Sequence, residues 1–251
     1  MSLFKLMQQG WLYSAGYGMT GLVWGCLGVA VAAYLLGSIN TALVVSKACY
    51  GKDIRQFGSH NAGMTNMFRV LGKKAGVLTL IGDVLKAFLS VFIGFLLVGK
   101  HFGGPYVAAF FCVLGHVFPV YYRFRGGKGV LVAAISILCV DPLVFLFVAL
   151  VFALMFFTIR IVSVASITAA AIYPLLSTTF SVENNFLTSV LFSLALSVFV
   201  IAMHRDNIRR LLNNEEKRVE FGKKKKVEAS TQPAPKAPTR PSLIDDDDTN
   251  G

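Results

Sequence analysis

Residues 75–99 read AGVLTLIGDVLKAFLSVFIGFLLVG. The run carries only two charges, Asp83 and Lys86. A helix needs about 17–25 residues to cross a hydrocarbon core, and this run has that length. In lipid every backbone polar group must be satisfied internally, so only helices and closed barrels span it. The run is continuously apolar rather than alternating, which predicts a helix. Similar runs lie at residues 11–37, 105–122, 129–141, 143–159, 161–179 and 185–203. The fold expected is therefore all-α: a polytopic membrane helix bundle of about seven transmembrane helices. The run 129–141 is short and followed by Pro142, so it is expected to tilt or to reach only part way.

Composition agrees. Hydrophobic residues make up 55% of the chain and charged residues 15%, against about 25% charged in soluble domains. Cys26, Cys49, Cys112 and Cys139 show no metal-ligand spacing, and most lie in apolar runs, so buried thiols are expected rather than zinc ligands or disulfides. The first residues lack a clearly basic n-region, and the apolar stretch from Trp11 is too long for a cleaved signal, so a retained first helix is expected.

The net charge of +11 invites a nucleic-acid partner, but in a membrane protein it reads more simply as positive-inside sorting. No nucleic acid is expected. Lys47, Lys52, Arg55, Arg69, Lys73 and Lys74 fall between the first two runs, and Arg123, Arg125 and Lys128 between the third and fourth. Arg160 separates the fifth and sixth; Arg205, Arg209, Arg210, Lys217, Arg218 and the 223–226 lysine run follow the seventh. Seven crossings put all of these on one face and leave little more than Lys5, Lys100 and Glu183 on the other. That asymmetry places the N-terminus outside and the C-terminus in the cytoplasm. The membrane domain is expected over residues 1–220. Residues 221–251 hold a lysine run, four prolines and Asp245 to Asp248 among small polar residues, a composition that predicts a disordered cytoplasmic tail.

The connection between the first two runs is dense in glycine, hydroxyl, amide and cation. It carries Gly37-Ser38-Ile39-Asn40, then Asp53-Ile54-Arg55, then Gly58-Ser59-His60-Asn61-Ala62-Gly63-Met64-Thr65-Asn66. Glycine lets backbone N–H groups approach an oxyanion, hydroxyls and amides donate to it, and arginine adds a charged fork. Such a mix suits an anion. A second cluster is Leu114-Gly115-His116 with Gly126-Gly127-Lys128-Gly129 at a helix start, where anions are favoured. It lacks the spacing and the Ser or Thr of a Walker A loop. Ser163, Ser166 and Thr168 follow Arg160. His204 and Asn207, three apart, are expected on one helical face at the end of the seventh run. Asp83 and Lys86 are also three apart and are expected as a helix-surface ion pair, with Lys86 snorkelling to the interface. Four phosphate-suited clusters on one side imply a ligand with more than one phosphate, or two phosphorylated ligands.

In order and wording these clusters resemble the bacterial membrane glycerol-3-phosphate acyltransferases that use acyl phosphate. The family's Gly-Ser-Ile-Pro, Asp-Ile-Arg, Gly-Ser-Gly-Asn, Ala-Thr-Asn and Gly-Lys correspond to residues 37–40, 53–55, 58–61, 64–66 and 72–73. Its Leu-Gly-His, Phe-Pro and Gly-Gly-Lys-Gly-Val stand at 114–116, 118–119 and 126–130. Its Val-Ser-x-x-Ser-Ile and His-x-x-Asn-Ile-x-Arg-Leu stand at 162–167 and 204–211, with Glu216 after them. The likeness spans about residues 34–216. Asn40 replaces proline, an exchange expected to loosen the end of the first helix; His60 replaces glycine, Met64 alanine and Ala87 glycine. Ala165 stands where a serine is frequent, which is expected to remove one hydroxyl near the phosphate.

The resemblance implies transfer of a fatty acyl group from acyl phosphate to the sn-1 hydroxyl of glycerol 3-phosphate, giving lysophosphatidic acid and phosphate in phospholipid biosynthesis. It implies a multi-pass protein of the bacterial cell membrane with a cytoplasmic active site, amid membrane lipids, and an acyl-phosphate-forming enzyme upstream. No cofactor or metal is implied. Acyl phosphate is already an activated anhydride, so direct attack needs no acyl-enzyme. The catalytic residues expected are Ser38, Arg55, Ser59, Asn61, Thr65, Asn66 and His204; those expected to bind substrate are His116, Gly126, Gly127, Lys128, Ser163, Ser166 and Asn207. Arg55, Lys128 and the glycine backbones would hold one phosphate, and Ser166, His204 and Asn207 the other. The base is His204, His116 or the donor's own phosphate; the sequence does not choose. An acyl-CoA enzyme with a His-x-x-x-x-Asp pair is disfavoured, because no histidine here has Asp five positions on. The alternative kept is a membrane transporter for an organic phosphate, which would show midplane sites and inverted repeats that this chain lacks.

Overall fold

A computed structural model describes residues 2–180 and 186–219. The tail from residue 221, and Glu183, lie outside the described residues. Two short helices, α1 (Leu3–Gln9) and α2 (Trp11–Ser14), precede α3 (Gly18–Ser38). Next come α4 (Thr41–Tyr50), a 3₁₀ turn (Ile54–Gln56), α5 (Met64–Leu71) and α6 (Lys73–Leu97). Then α7 (Gly104–Val117), a second 3₁₀ turn (Val120–Tyr122), α8 (Val130–Val140) and α9 (Pro142–Ile159) follow. Last are α10 (Val162–Phe180), α11 (Phe186–Ala202) and α12 (Arg205–Leu212). Each of the seven apolar runs contains at least one helix, and the described residues hold no strand.

Five helical spans are long and apolar enough to cross a membrane, and six if α11 and α12, bent by 53°, count as one. α8 is too short: 11 residues cover about 16 Å, half of a hydrocarbon core. The first helix begins at Gly18, not at residue 11, because the chain turns through left-handed backbone at Gly16 and Gly18.

α3 and α7 cross with their backbones in contact. A Cβ on Gly37 would strike the Cys112 carbonyl, and one on Gly115 the Tyr34 carbonyl. Small residues at such crossings permit the close approach that holds membrane helices together. The lipid side is as plain. Leu143, Leu146, Leu150, Leu154 and Phe157 recur three or four apart along α9 and are exposed, a stripe that water would not tolerate but hydrocarbon does.

The first connection is not a bare loop, since it contains α4 and α5. Asn40 does not loosen the end of α3. Its Oδ1 accepts from the Leu43 backbone N–H at 3.1 Å, capping α4, and its Nδ2 donates to the Ala62 carbonyl at 3.3 Å. A proline could make neither bond.

Candidate active site

One cavity of about 580 Å³ collects the four clusters. Ser59, Asn61, Thr65 and Asn66 from the first connection, His116 from α7, Lys128 before α8, Ser163 and Ser166 from α10, and His204 and Asn207 all line it. Below this polar end the lining turns apolar: Ile137, Val148, Phe152, Ala169, Leu196 and Val200 enclose a shaft between α8, α9, α10 and α11.

At the mouth, Glu216 is the organiser. Its Oε1 accepts from Ser163 Oγ at 2.8 Å and Asn207 Nδ2 at 2.6 Å, and its Oε2 from Arg210 Nε at 2.6 Å. Burial raises the Glu216 carboxyl, but these hydrogen bonds outweigh it and hold the group below the ordinary carboxylate range. Lys128 Nζ donates to Asn207 Oδ1. Burial first, then the charge of Arg210, brings Lys128 down to about 8.

His204 lies at the bend between α11 and α12, so it and Asn207 do not share one continuous helix face as expected. Both are nonetheless buried and line the cavity. His204 Nδ1 lies 2.7 Å from the Val200 carbonyl. A carbonyl only accepts, so Nδ1 carries the proton and the neutral ring keeps its lone pair on Nε2.

Four expected site residues stand apart from the cavity wall. Ser38 is fully buried and its Oγ accepts from the Val120 N–H at 3.3 Å, tying α3 to the turn after α7. Arg55 binds Asp53 through Nε at 2.9 Å and Nη2 at 2.7 Å, and donates from Nη1 to the Tyr122 and Arg125 carbonyls at 3.1 and 3.0 Å. It is a clamp between the two polar connections, and it holds the Asp53 carboxyl down to about 2. Gly126 and Gly127 serve as room rather than as a cradle. A Cβ on Gly126 would strike the His116 carbonyl, and one on Gly127 the His116 imidazole.

Asn66 lines the cavity but its polar atoms are engaged: Oδ1 accepts from Ser59 N–H at 3.0 Å, and Nδ2 donates to the Ile54, Phe57 and Asn61 carbonyls at 3.0–3.3 Å. The side chains of Ser59, Asn61 and Thr65 make no hydrogen bond among the described residues, which leaves them for a ligand. His60, in a glycine's place, adopts φ 57°, the left-handed backbone that glycine favours. Ala165 is buried away from the cavity lining, so its missing hydroxyl is not missing from the site.

Asp83 and Lys86 are not on the surface. They are 1% and 5% exposed, and Lys86 reaches inward to His116 instead of snorkelling. Arg69 and Arg210, which belong to the polar clusters but were not among the expected site residues, line the cavity mouth. Spacing was the available signal: Arg69 lies one helical turn after Thr65, and Arg210 three residues after Asn207.

A family model described as glycerol-3-phosphate acyltransferase matches residues 27–214. The chain belongs to the glycerol-3-phosphate acyltransferase family. The glycerol-3-phosphate acyltransferase of Bacillus cytotoxicus is 42% identical over 196 residues, covering 78% of this chain and 96% of that one. That of Burkholderia ambifaria is 41% identical over 206 residues, covering 80% and 93%. The crystal structure of PlsY (YgiH), an integral membrane glycerol 3-phosphate acyltransferase, in its glycerol 3-phosphate form superposes with a TM-score of 0.70 at 38% identity, over 78% of this chain and 96% of that one. Its lysophosphatidic acid form gives 0.67 at 38%, over 78% and 95%. This family member is thus an integral membrane acyltransferase. The match covers every cavity-lining residue except the segment from Glu215 onward.

Gly127→Ala should lower acyltransferase activity about 100-fold, the order expected when catalytic groups are displaced by about 1 Å. The added Cβ meets a ring backed by Lys86 and a backbone carbonyl, that of Ala62, at 2.8 Å, and Lys128 is the next residue. Helix content by circular dichroism should stay unchanged. Wild-type activity in this variant would show that the second connection tolerates the shift.

Proposed function

We propose that this enzyme transfers a fatty acyl group from acyl phosphate to the sn-1 hydroxyl of glycerol 3-phosphate, by direct attack. The observation that carries the proposal is the single cavity with a cationic, hydroxyl-rich mouth above an apolar shaft. Such a shape suits two phosphates side by side with an alkyl chain running into the bundle. Arg69 with Ser59, Asn61 and Thr65 holds one phosphate. Lys128, with Asn207, Arg210 and Ser166, holds the other. Arg55 supports both connections from behind. The glycerol oxygen bonds to the acyl carbonyl carbon, giving a tetrahedral oxyanion. The carbon–oxygen bond to phosphate then breaks, and the hydroxyl proton passes to His204 Nε2 or to the departing phosphate. Positioning and charge stabilisation supply most of the rate.

The positive-inside asymmetry further supports seven crossings, with α8 as the short one, the N-terminus outside and the cavity mouth at the cytoplasmic face of a bacterial cell membrane. There an acyl-phosphate-forming enzyme supplies the donor. Lysophosphatidic acid and phosphate should appear in equal amounts, and the protein's intact mass should not change on incubation with acyl phosphate alone. A chain heavier by one acyl group would overturn direct attack.

A further inference from the structure

At the cavity wall, between α6 and α7, lies a buried charged cluster: Asp83 and His116 line the cavity, and Asp83 and Lys86 have no role in the acyl-transfer reading. Lys86 Nζ sits 2.8 Å from Asp83 Oδ1, 2.8 Å from His116 Nδ1 and 3.1 Å from the Ile39 carbonyl. Asp83, Lys86 and His116 are 1%, 5% and 4% exposed. A charge pair taken out of water costs several kcal/mol per ion unless well paired. Here the Lys86 ammonium has hydrogen-bond geometry to the Ile39 carbonyl and to His116 Nδ1, while Asp83 Oδ1 holds it by charge and accepts no hydrogen bond itself. An ammonium can only donate, so at 2.8 Å His116 Nδ1 is the acceptor and is bare.

We infer that Asp83 and Lys86 are positioning residues that fix His116 as the Nε2–H tautomer and aim that one donor into the cavity, at the carbonyl oxygen of the acyl donor. The inference rests on the acyl-transfer reading above. His116 lines the cavity, and its Nε2 has no hydrogen-bond partner among the described residues. Nε2 packs directly against Gly127, the residue before the cation Lys128. A donor in that position strengthens its bond as the carbonyl oxygen becomes an oxyanion, which is the geometry of an oxyanion hole. The same tautomer bars His116 Nε2 from taking the glycerol proton. His204 has the opposite tautomer, with Nδ1–H on Val200 and a bare Nε2. The two rings therefore divide the work: one donates to the carbonyl oxygen and the other can accept a proton.

The test has two arms. Nitrogen-15 spectra of the histidine-labelled, substrate-free protein in detergent should show His116, identified by its loss in His116→Phe, as a neutral ring with bare Nδ1 and protonated Nε2. In assays, Lys86→Met should lower kcat about 100-fold, the size of losing one oxyanion donor, with KM for glycerol 3-phosphate held within about twofold. Lys86→Gln keeps an N–H donor toward Nδ1 and should recover at least about tenfold of that loss, a rescue that a packing role would not produce. Should Lys86→Met not fold with Asp83 left unpaired, Asp83→Asn with Lys86→Met removes both charges and should show the same kcat loss. A wild-type His116 protonated on Nδ1, or equal kcat in the Met and Gln variants, would overturn the inference. Wild-type protein inert toward acyl phosphate would instead overturn the donor assignment, while the spectrum, read without substrate, still judges the tautomer.

Discussion

Lys128→Met should lower kcat/KM about 100- to 1,000-fold, because it leaves the bound phosphate without the cation proposed to pair with it, a loss of about 2–5 kcal/mol. Lys128 lines the cavity, donates to Asn207 Oδ1 and sits beside the network that Glu216 holds together with Ser163, Asn207 and Arg210. Methionine preserves the stem and removes the charge. A pH signature should accompany the loss. Burial and the neighbouring Arg210 bring Lys128 down to about 8, so in the free enzyme its charge disappears as pH rises through that value. kcat/KM reports the free enzyme, so the wild type should lose efficiency above pH about 8. The alkaline limb should vanish in Lys128→Met and move upward in Lys128→Arg, whose guanidinium stays charged. An unchanged alkaline limb in Lys128→Met would assign that titration elsewhere.

The second large effect is at His204. His204→Gln should lower kcat about 100-fold or more, the usual range for removing a general base. Burial, opposed by the bond to Val200 and helped by the charge of Lys128, places the imidazole below its ordinary value. A lowered value keeps the ring neutral, and its Nε2 lone pair available, to more acidic pH than an exposed histidine. The acid limb of kcat/KM, which reports the free enzyme, should therefore lie below pH ~6.5 in the wild type and be absent from the residual activity of His204→Gln. If the variant keeps wild-type kcat, the departing phosphate takes the proton.

Much of the bundle was legible because lipid imposes a local rule. An apolar run long enough to span must close its own hydrogen bonds, so every run at 11–37 through 185–203 contains a helix. The clusters were legible too, because glycine, hydroxyl, amide and cation recur together. The chain brings the four clusters to one cavity. What the sequence hid depends on partners far along the chain. An arginine in a glycine-rich connection looks the same whether it binds phosphate or two carbonyls. The partners of Arg55, Tyr122 and Arg125, lie 67 and 70 residues away. Spacing announces that Asp83 and Lys86 can pair, but His116, 30 residues on, decides that they pair inside. Gly126 and Gly127 looked like an anion cradle because the same absence of Cβ also makes room for an imidazole. Glu216 was visible as a motif residue, but one of two adjacent glutamates near cations gives no local sign that three side chains converge on it.

The central claim is tested most directly by offering the detergent-purified chain glycerol 3-phosphate with either acyl phosphate or acyl-CoA, and following lysophosphatidic acid and phosphate. The account predicts product from acyl phosphate and none from acyl-CoA. Product from acyl-CoA alone would contradict it, keeping the acyltransferase and discarding the two-phosphate site.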